Sequence, residues 1–154
     1  MKTKVEKLTT MPCELEITGA TLLTVDEANE LVTVEDRACG SWWWLRSPGV
    51  DRLLSACVYS DGSVYADGYT VDYGSGGVRP ALKIENLALS NLKIGDTFCF
   101  GGKLFKLISD RLALCETIIG ISRFDKSSND YAHSEIKSYV DHWFDELMSR
   151  GAET

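Results

Sequence analysis

The run Trp42-Trp43-Trp44-Leu45 restricts this chain more than any other stretch. Aromatic side chains suit a pleated strand, and neighbours along a strand alternate faces. Trp43 is therefore expected to point opposite to Trp42 and Trp44. Three adjacent indoles cannot share one face, so part of the run must be core. The run opens an apolar bookend that ends at Ser47-Pro48-Gly49. A second bookend follows at Gly77-Val78-Arg79-Pro80-Ala81-Leu82. The segment between them, about residues 50–77, is rich in Tyr, Asp, Ser and Gly and carries two Asp-Gly pairs. The bookends read as framework and the middle as a display surface.

Size and charge narrow the classes. A chain of 154 residues fits one domain, taken as 1–154, with a C-terminal hairpin and helix at about 94–148. The net charge of -7 argues against nucleic acid as a partner. No apolar run is long enough to span a bilayer, so no membrane partner is expected. The first residues have the positive charge of a signal peptide but no apolar region after it. The expectation is a chain made and kept in the cytoplasm unless a larger particle carries it out. Cys13, Cys39, Cys57, Cys99 and Cys115 form no Cys-x-x-Cys pair and read as reduced, small apolar residues.

Periodicity places the elements. Residues 1–12 read as a tail or a first strand. Cys13 to Ile17 alternates apolar and acidic, as in a half-buried strand, and Gly19 ends it. Thr24 and Glu27 form a Ser/Thr-x-x-Glu capping box that opens a short helix. Ser60-Asp61-Gly62-Ser63 and Ala66-Asp67-Gly68-Tyr69 both read as turns. Val58, Val64 and Val71 are the inward anchors between them. Val78 to Ile84 reads as one central strand, with Pro80 confined to an edge or bulge. Thr97 to Phe100 and Lys103 to Ile108 flank Gly101-Gly102 as a hairpin. Leu112 to Ile119 is a further strand and Ser122 to Ala132 a polar loop. Ser134 caps a last helix whose Ile136, Tyr139, Val140, Trp143, Phe144 and Leu147 make one stripe. Two helices among short, mostly antiparallel strands give an α+β domain.

The candidate ligand-binding surface comprises Asp51, Arg52, Leu53, Leu54, Ser55, Cys57, Tyr59, Ser60, Tyr65, Ala66, Asp67, Tyr69, Thr70, Asp72, Tyr73 and Ser75. Tyrosines offer large amphipathic contacts at low entropy cost, and Ser and Gly offer adaptable neighbours. Half-buried sheet tyrosines are the alternative. No catalytic or metal-binding set emerges. His133 and His142 are nine apart and do not make an i, i+4 ligand pair. Asp61, Asp67 and Asp72 lack calcium-loop spacing and read as turn residues. No phosphate-cradling loop follows a strand, so no cofactor is expected. Arg46 and Arg79 read as framework cations, each paired with a carboxylate and stacked on an indole; an anion site is the alternative.

Trp43-Trp44-Leu45-Arg46-Ser47-Pro48-Gly49, Asp61-Gly62-Ser63-Val64 and Gly77-Val78-Arg79-Pro80-Ala81-Leu82 resemble a bacterial and phage family of C-type-lectin-like domains. Some members look like the variable proteins of diversity-generating retroelements. Leu22 to Ala28 and the stretch from Ile94-Gly95-Asp96 to the Ser134 helix are similar too. The order of blocks is reversed relative to many relatives, as in a circular permutation. The resemblance implies a C-type-lectin-like fold and an adenine-directed diversification that cannot produce Lys, Glu, Gln, Met or Trp. None of those five occurs between Asp51 and Gly77; a Gly-rich β segment poor in such residues is the other reading. The implied function is a non-enzymatic display scaffold for a protein ligand, carried on a phage particle in one version. A carbohydrate-binding module is the alternative, and an enzyme akin to the formylglycine-generating enzymes is the third reading. A homo-oligomer is compatible with the sequence.

Overall fold

Strand pairing decides how this chain is built. A computed structural model describes residues 15–152. The expected tail or strand at 1–12, and the start of the Cys13 strand, lie outside the described residues. Strand β1 (Glu16–Thr21) is followed by helices α1 (Val25–Leu31) and α2 (Val34–Arg37). Then come β2 (Trp43–Pro48), β3 (Leu54–Val58), β4 (Val64–Thr70), β5 (Gly77–Val78) and β6 (Ala81–Glu85). Strands β7 (Thr97–Phe100), β8 (Lys103–Leu107), β9 (Leu112–Cys115) and β10 (Gly120–Ile121) precede helix α3 (Glu135–Ala152). The first sheet runs β1-β6-β9-β8-β7 and the second β10-β5-β2-β3-β4, five strands in each. All pairings are antiparallel except β2 with β5.

This architecture corrects the expected two-helix, C-type-lectin-like α+β fold. The domain is β-rich: two five-stranded sheets with one main helix at the C-terminal end. The physical reason is local. The Thr24–Glu27 capping box is present, with Glu27 N–H donating to Thr24 Oγ1 and Thr24 N–H to Glu27 Oε1. Yet it opens only seven residues, because Val32 and Thr33 turn extended and Thr33 caps a separate single turn. Helices that short depend on packing rather than on their own propensity.

Three strand assignments also change. Gly19 does not end β1; a bulge between Ile17 and Gly19 lets the strand run on to Thr21 opposite Ala81. Val78 to Ile84 is not one strand. Pro80 has no N–H to continue a ladder, and the chain leaves the second sheet at Val78 and enters the first at Ala81. Leu112 to Ile119 likewise divides into β9 and the approach to β10, which crosses back. The hairpin around Gly101-Gly102 forms as read, with Phe100 opposite Lys103.

Two layers of core result. Trp43, Leu45, Ala56 and Val58 of the second sheet meet Ala81 and Leu114 of the first, with Leu23, Ala28 and Val32 at the side. On the far face of the first sheet, Leu82, Ile84, Phe98, Phe105 and Ala113 pack against Trp143 and Leu147 of α3. Ser134 Oγ accepts from Lys137 N–H at 3.1 Å and so caps α3. Ile136 and Val140, from the same stripe, reach the second sheet's other face beside Trp44, Cys57 and Phe124. Tyr139 departs from the stripe and is exposed, its hydroxyl lying over Gly120.

Candidate ligand-binding face

The second sheet is patterned in rows. Trp43, Val58 and Val64 are cross-strand neighbours, and all three join the inter-sheet core. One residue along, Trp44, Cys57 and Tyr65 form the next row on the opposite face. The alternation read from the Trp run thus separates Trp43 from Trp44. Trp42, just before β2, packs edge-on against Trp44 at a ring-centroid distance of 4.9 Å.

Two Asp-Gly pairs shape the edge, in different ways. Asp61-Gly62 is the turn between β3 and β4. Asp61 Oδ1 accepts from Ser63 N–H at 2.9 Å and from Ser63 Oγ at 2.7 Å, which lowers the carboxyl pKa. Gly62 has φ of 93°, and a Cβ there would stand 2.3 Å from Val34 O. Its carbonyl accepts from Arg37 Nε at 2.7 Å, tying the turn to α2. Asp67-Gly68, read as a second turn, is instead inside β4. Register passes from Cys57↔Tyr65 to Ser55↔Tyr69, so the four-residue step on β4 opposes a two-residue step on β3. This irregularity keeps Tyr65 and Tyr69 on the face of Cys57 and Ser55.

The result is a patch of rings. Trp42, Tyr69 and Tyr73 are in mutual contact, with centroids 5.3 Å (Trp42–Tyr69), 5.9 Å (Trp42–Tyr73) and 5.1 Å (Tyr69–Tyr73) apart. Tyr59 stacks on Tyr65 at 5.1 Å and 23°. Tyr59, Tyr69 and Tyr73 remain 38%, 39% and 44% exposed, while Trp42 and Tyr65 are half-buried. The sheet face is therefore covered beneath Phe124, Ile136 and Val140 and open beyond them.

Asp51, Arg52, Leu53, Ser60, Ala66, Asp67, Thr70, Asp72 and Ser75 are also exposed, and Leu54 is half-buried. Ser55 and Cys57 are fully buried, which removes them from the surface. β3 lies between two strands and is covered on both faces. Ser55 Oγ donates to Leu45 O and Ser47 O, and burial pushes the Cys57 thiol up to about 12. Asp51 is a turn residue: its carboxylate accepts from Leu53 N–H at 2.9 Å. Asn129 pins the same corner by donating to Asp51 O and Leu54 O at 3.1 and 3.0 Å. Sequence reading missed Trp42 and Asn129 as parts of this region. Alternation of the Trp run was the signal for Trp42; nothing local signalled Asn129.

The framework arginines are fixed mainly by carbonyls. Arg79 is 3% exposed and lies 4.9 Å from the Trp43 ring centroid. Its guanidinium donates to Cys115 O at 2.8 Å and Asp36 O at 2.9 Å. Burial lowers its pKa, countered by nearby thiols and carboxylates. Carbonyl oxygens thus replace the expected carboxylate partner. Arg46 donates from Nε to Leu22 O at 2.9 Å and lies 3.7 Å from Glu27.

The two histidines stand apart from the aromatic patch, each beside a carboxylate. His133 contacts Asp130 and His142 contacts Glu146, both at the surface. Among the described residues no group of three or more His, Cys, Asp and Glu is placed to hold a metal ion. No helix among them is long and apolar enough to cross a membrane. A cleft of about 740 Å³ lies along residues 84–94 and Asp110-Arg111, sharing no residue with the aromatic patch.

Fold and surface together define a two-sheet, β-rich domain with one open aromatic sheet face. The chain belongs to the family described as "Domain of unknown function (DUF6273)", which it matches over residues 7–86. No curated protein and no solved structure matches it.

Proposed function

We propose that the open face of the second sheet is a binding surface for a protein ligand, and that the chain is a scaffold rather than an enzyme. The observation that carries this reading is the patch of Trp42, Tyr59, Tyr65, Tyr69 and Tyr73 on a sheet whose opposite face is sealed core. Tyr and Trp are the residues that dominate interface energies. The rings lean on one another at 40° to 81° in the Trp42–Tyr69–Tyr73 group. Rings at such angles to one another do not form one flat stacking platform, which suits a protein surface better than a stacked sugar. Retroelement diversification of residues 51–77 is the genetic extension of this proposal, and a reverse transcriptase gene beside a near-identical template would support it.

The experiment compares the wild-type chain with a Tyr59→Ser, Tyr69→Ser, Tyr73→Ser variant on protein and glycan arrays. The expected result is saturable binding to protein spots that the folded variant loses. Signals on glycans alone would move the reading to carbohydrate. Protein signals unchanged in the variant would reject the face.

A further inference from the structure

We infer that the ligand of the aromatic face presents arginine side chains to Trp42, Tyr69 and Tyr73. The inference rests on that face being a binding surface and adds the chemistry of the partner. Residues 51–77 contain four carboxylates, Asp51, Asp61, Asp67 and Asp72, against one cation, Arg52. Two of the four are spent locally: Asp51 on Leu53 N–H and Asp61 on Ser63. Asp67 and Asp72 are exposed and form no ion pair among the described residues. They bracket Tyr69 in sequence, and Asp72 adjoins Tyr73. Asp72 lies in the field of Arg123, but that guanidinium is held by both oxygens of Glu135 at 2.7 and 3.0 Å.

Exposed aromatic rings on a segment whose carboxylates outnumber its cations four to one make a receptor for a planar cation. A guanidinium can stack on an indole or phenol ring and still offer N–H groups to a carboxylate. An ammonium uses the same charge but loses the planar match. An acidic or phosphorylated partner meets net repulsion, both from this segment and from the overall charge of -7. Arg52 lies at the Asn129-pinned corner, on the loop before β3 rather than on β4.

The test titrates the wild-type chain with a twelve-residue peptide of alternating Arg and Ser. Ring and indole signals are followed by NMR. A citrulline version of the peptide keeps the shape and removes the charge. Saturable shifts are expected at Trp42, Tyr69 and Tyr73, with at least tenfold weaker binding of the citrulline peptide. Asp67→Asn with Asp72→Asn is expected to weaken the Arg peptide at least fivefold. Glu30→Gln with Glu35→Gln removes the same formal charge from α1 and α2 and is expected to change it less than twofold. Equal weakening by the two pairs, or shifts away from residues 42 and 59–73, would overturn the inference. If the Arg peptide fails while arrayed proteins still bind through the tyrosines, the cationic partner falls and the face stands. If the tyrosine variant also keeps its array partners, the face falls with it.

Discussion

The two faces of the second sheet begin from adjacent tryptophans and end in different environments. Trp43 is fully buried, beneath Arg79, with its indole N–H donating to Arg37 O at 3.0 Å. Trp42 is half-buried among tyrosines that solvent reaches. Both are the same residue type, with the same β propensity. The difference comes from cover: the first sheet and α1 together cover one face, whereas the 122–134 loop and α3 cover only part of the other. An exposed aromatic face is thus a matter of where the cover stops, not of what the strand is made from.

Substitutions can sharpen that contrast. The largest effect is expected from Trp43→Ala, about 3–5 kcal/mol of stability by urea denaturation, because the cavity lies between two sheets. A loss below about 1 kcal/mol would mean that the sheets are not mutually sealed. Arg79→Met keeps bulk over the indole but orphans Cys115 O and Asp36 O. At ~1.5 kcal/mol for each charged hydrogen bond the expected cost is about 3 kcal/mol. Arg46→Met, with one such carbonyl and half-exposed, is expected to cost less; the reverse order would overturn the framework assignment.

Gly76→Ala tests the seam between the covered and the open part of the Trp44 face. Its Cβ would stand 2.1 Å from Trp44 Nε1 and 2.8 Å from Trp42 Cη2. Overpacking is expected to cost about 1–3 kcal/mol and to alter the tryptophan fluorescence; an unchanged spectrum would place the glycine elsewhere. Cys57 supplies a pH test of the covered half. Its folded pKa is about 12 against an ordinary 9.0. Above pH 9 the unfolded thiol releases its proton first, so stability is full below that and falls as pH rises toward 12. Roughly 1 kcal/mol should disappear between pH 8 and pH 10, and Cys57→Ala should flatten that limb. The smallest effect belongs to the open half. Tyr73→Ser should cost about 1 kcal/mol, the low end for its two solvent-reached ring contacts. A larger loss in a melt would make Tyr73 framework.

The sequence carried some of this plainly. Thr24 with Glu27, Ser134 with its stripe, and Gly101-Gly102 are local signals, and each marks its element. Trp alternation assigned opposite faces before any pairing was known. What stayed hidden was non-local. Pro80 announced a break but not a change of sheet. Asp67-Gly68 has turn chemistry that a strand irregularity can also use. Ser55 and Cys57 share the composition of the exposed segment, and only the pairing of β3 on both sides buries them. Arg79 carries the same charge whether its partner is a carboxylate or a carbonyl, so the residue alone could not tell which.

The corner at Pro80 bears on how this family behaves when cut. The matched stretch, residues 7–86, ends just after β6. β6 lies between β1 and β9, and β9 belongs to the remainder of the chain. Residues 7–86 expressed alone would carry β6 with one ladder of N–H and C=O groups unclaimed. Leu82 and Ile84 would lose Trp143 and Leu147 from their face. A bare strand edge beside an uncovered apolar face is the template on which sheets grow from one chain to the next. Such a fragment should precipitate or form fibrils rather than behave as a small independent unit.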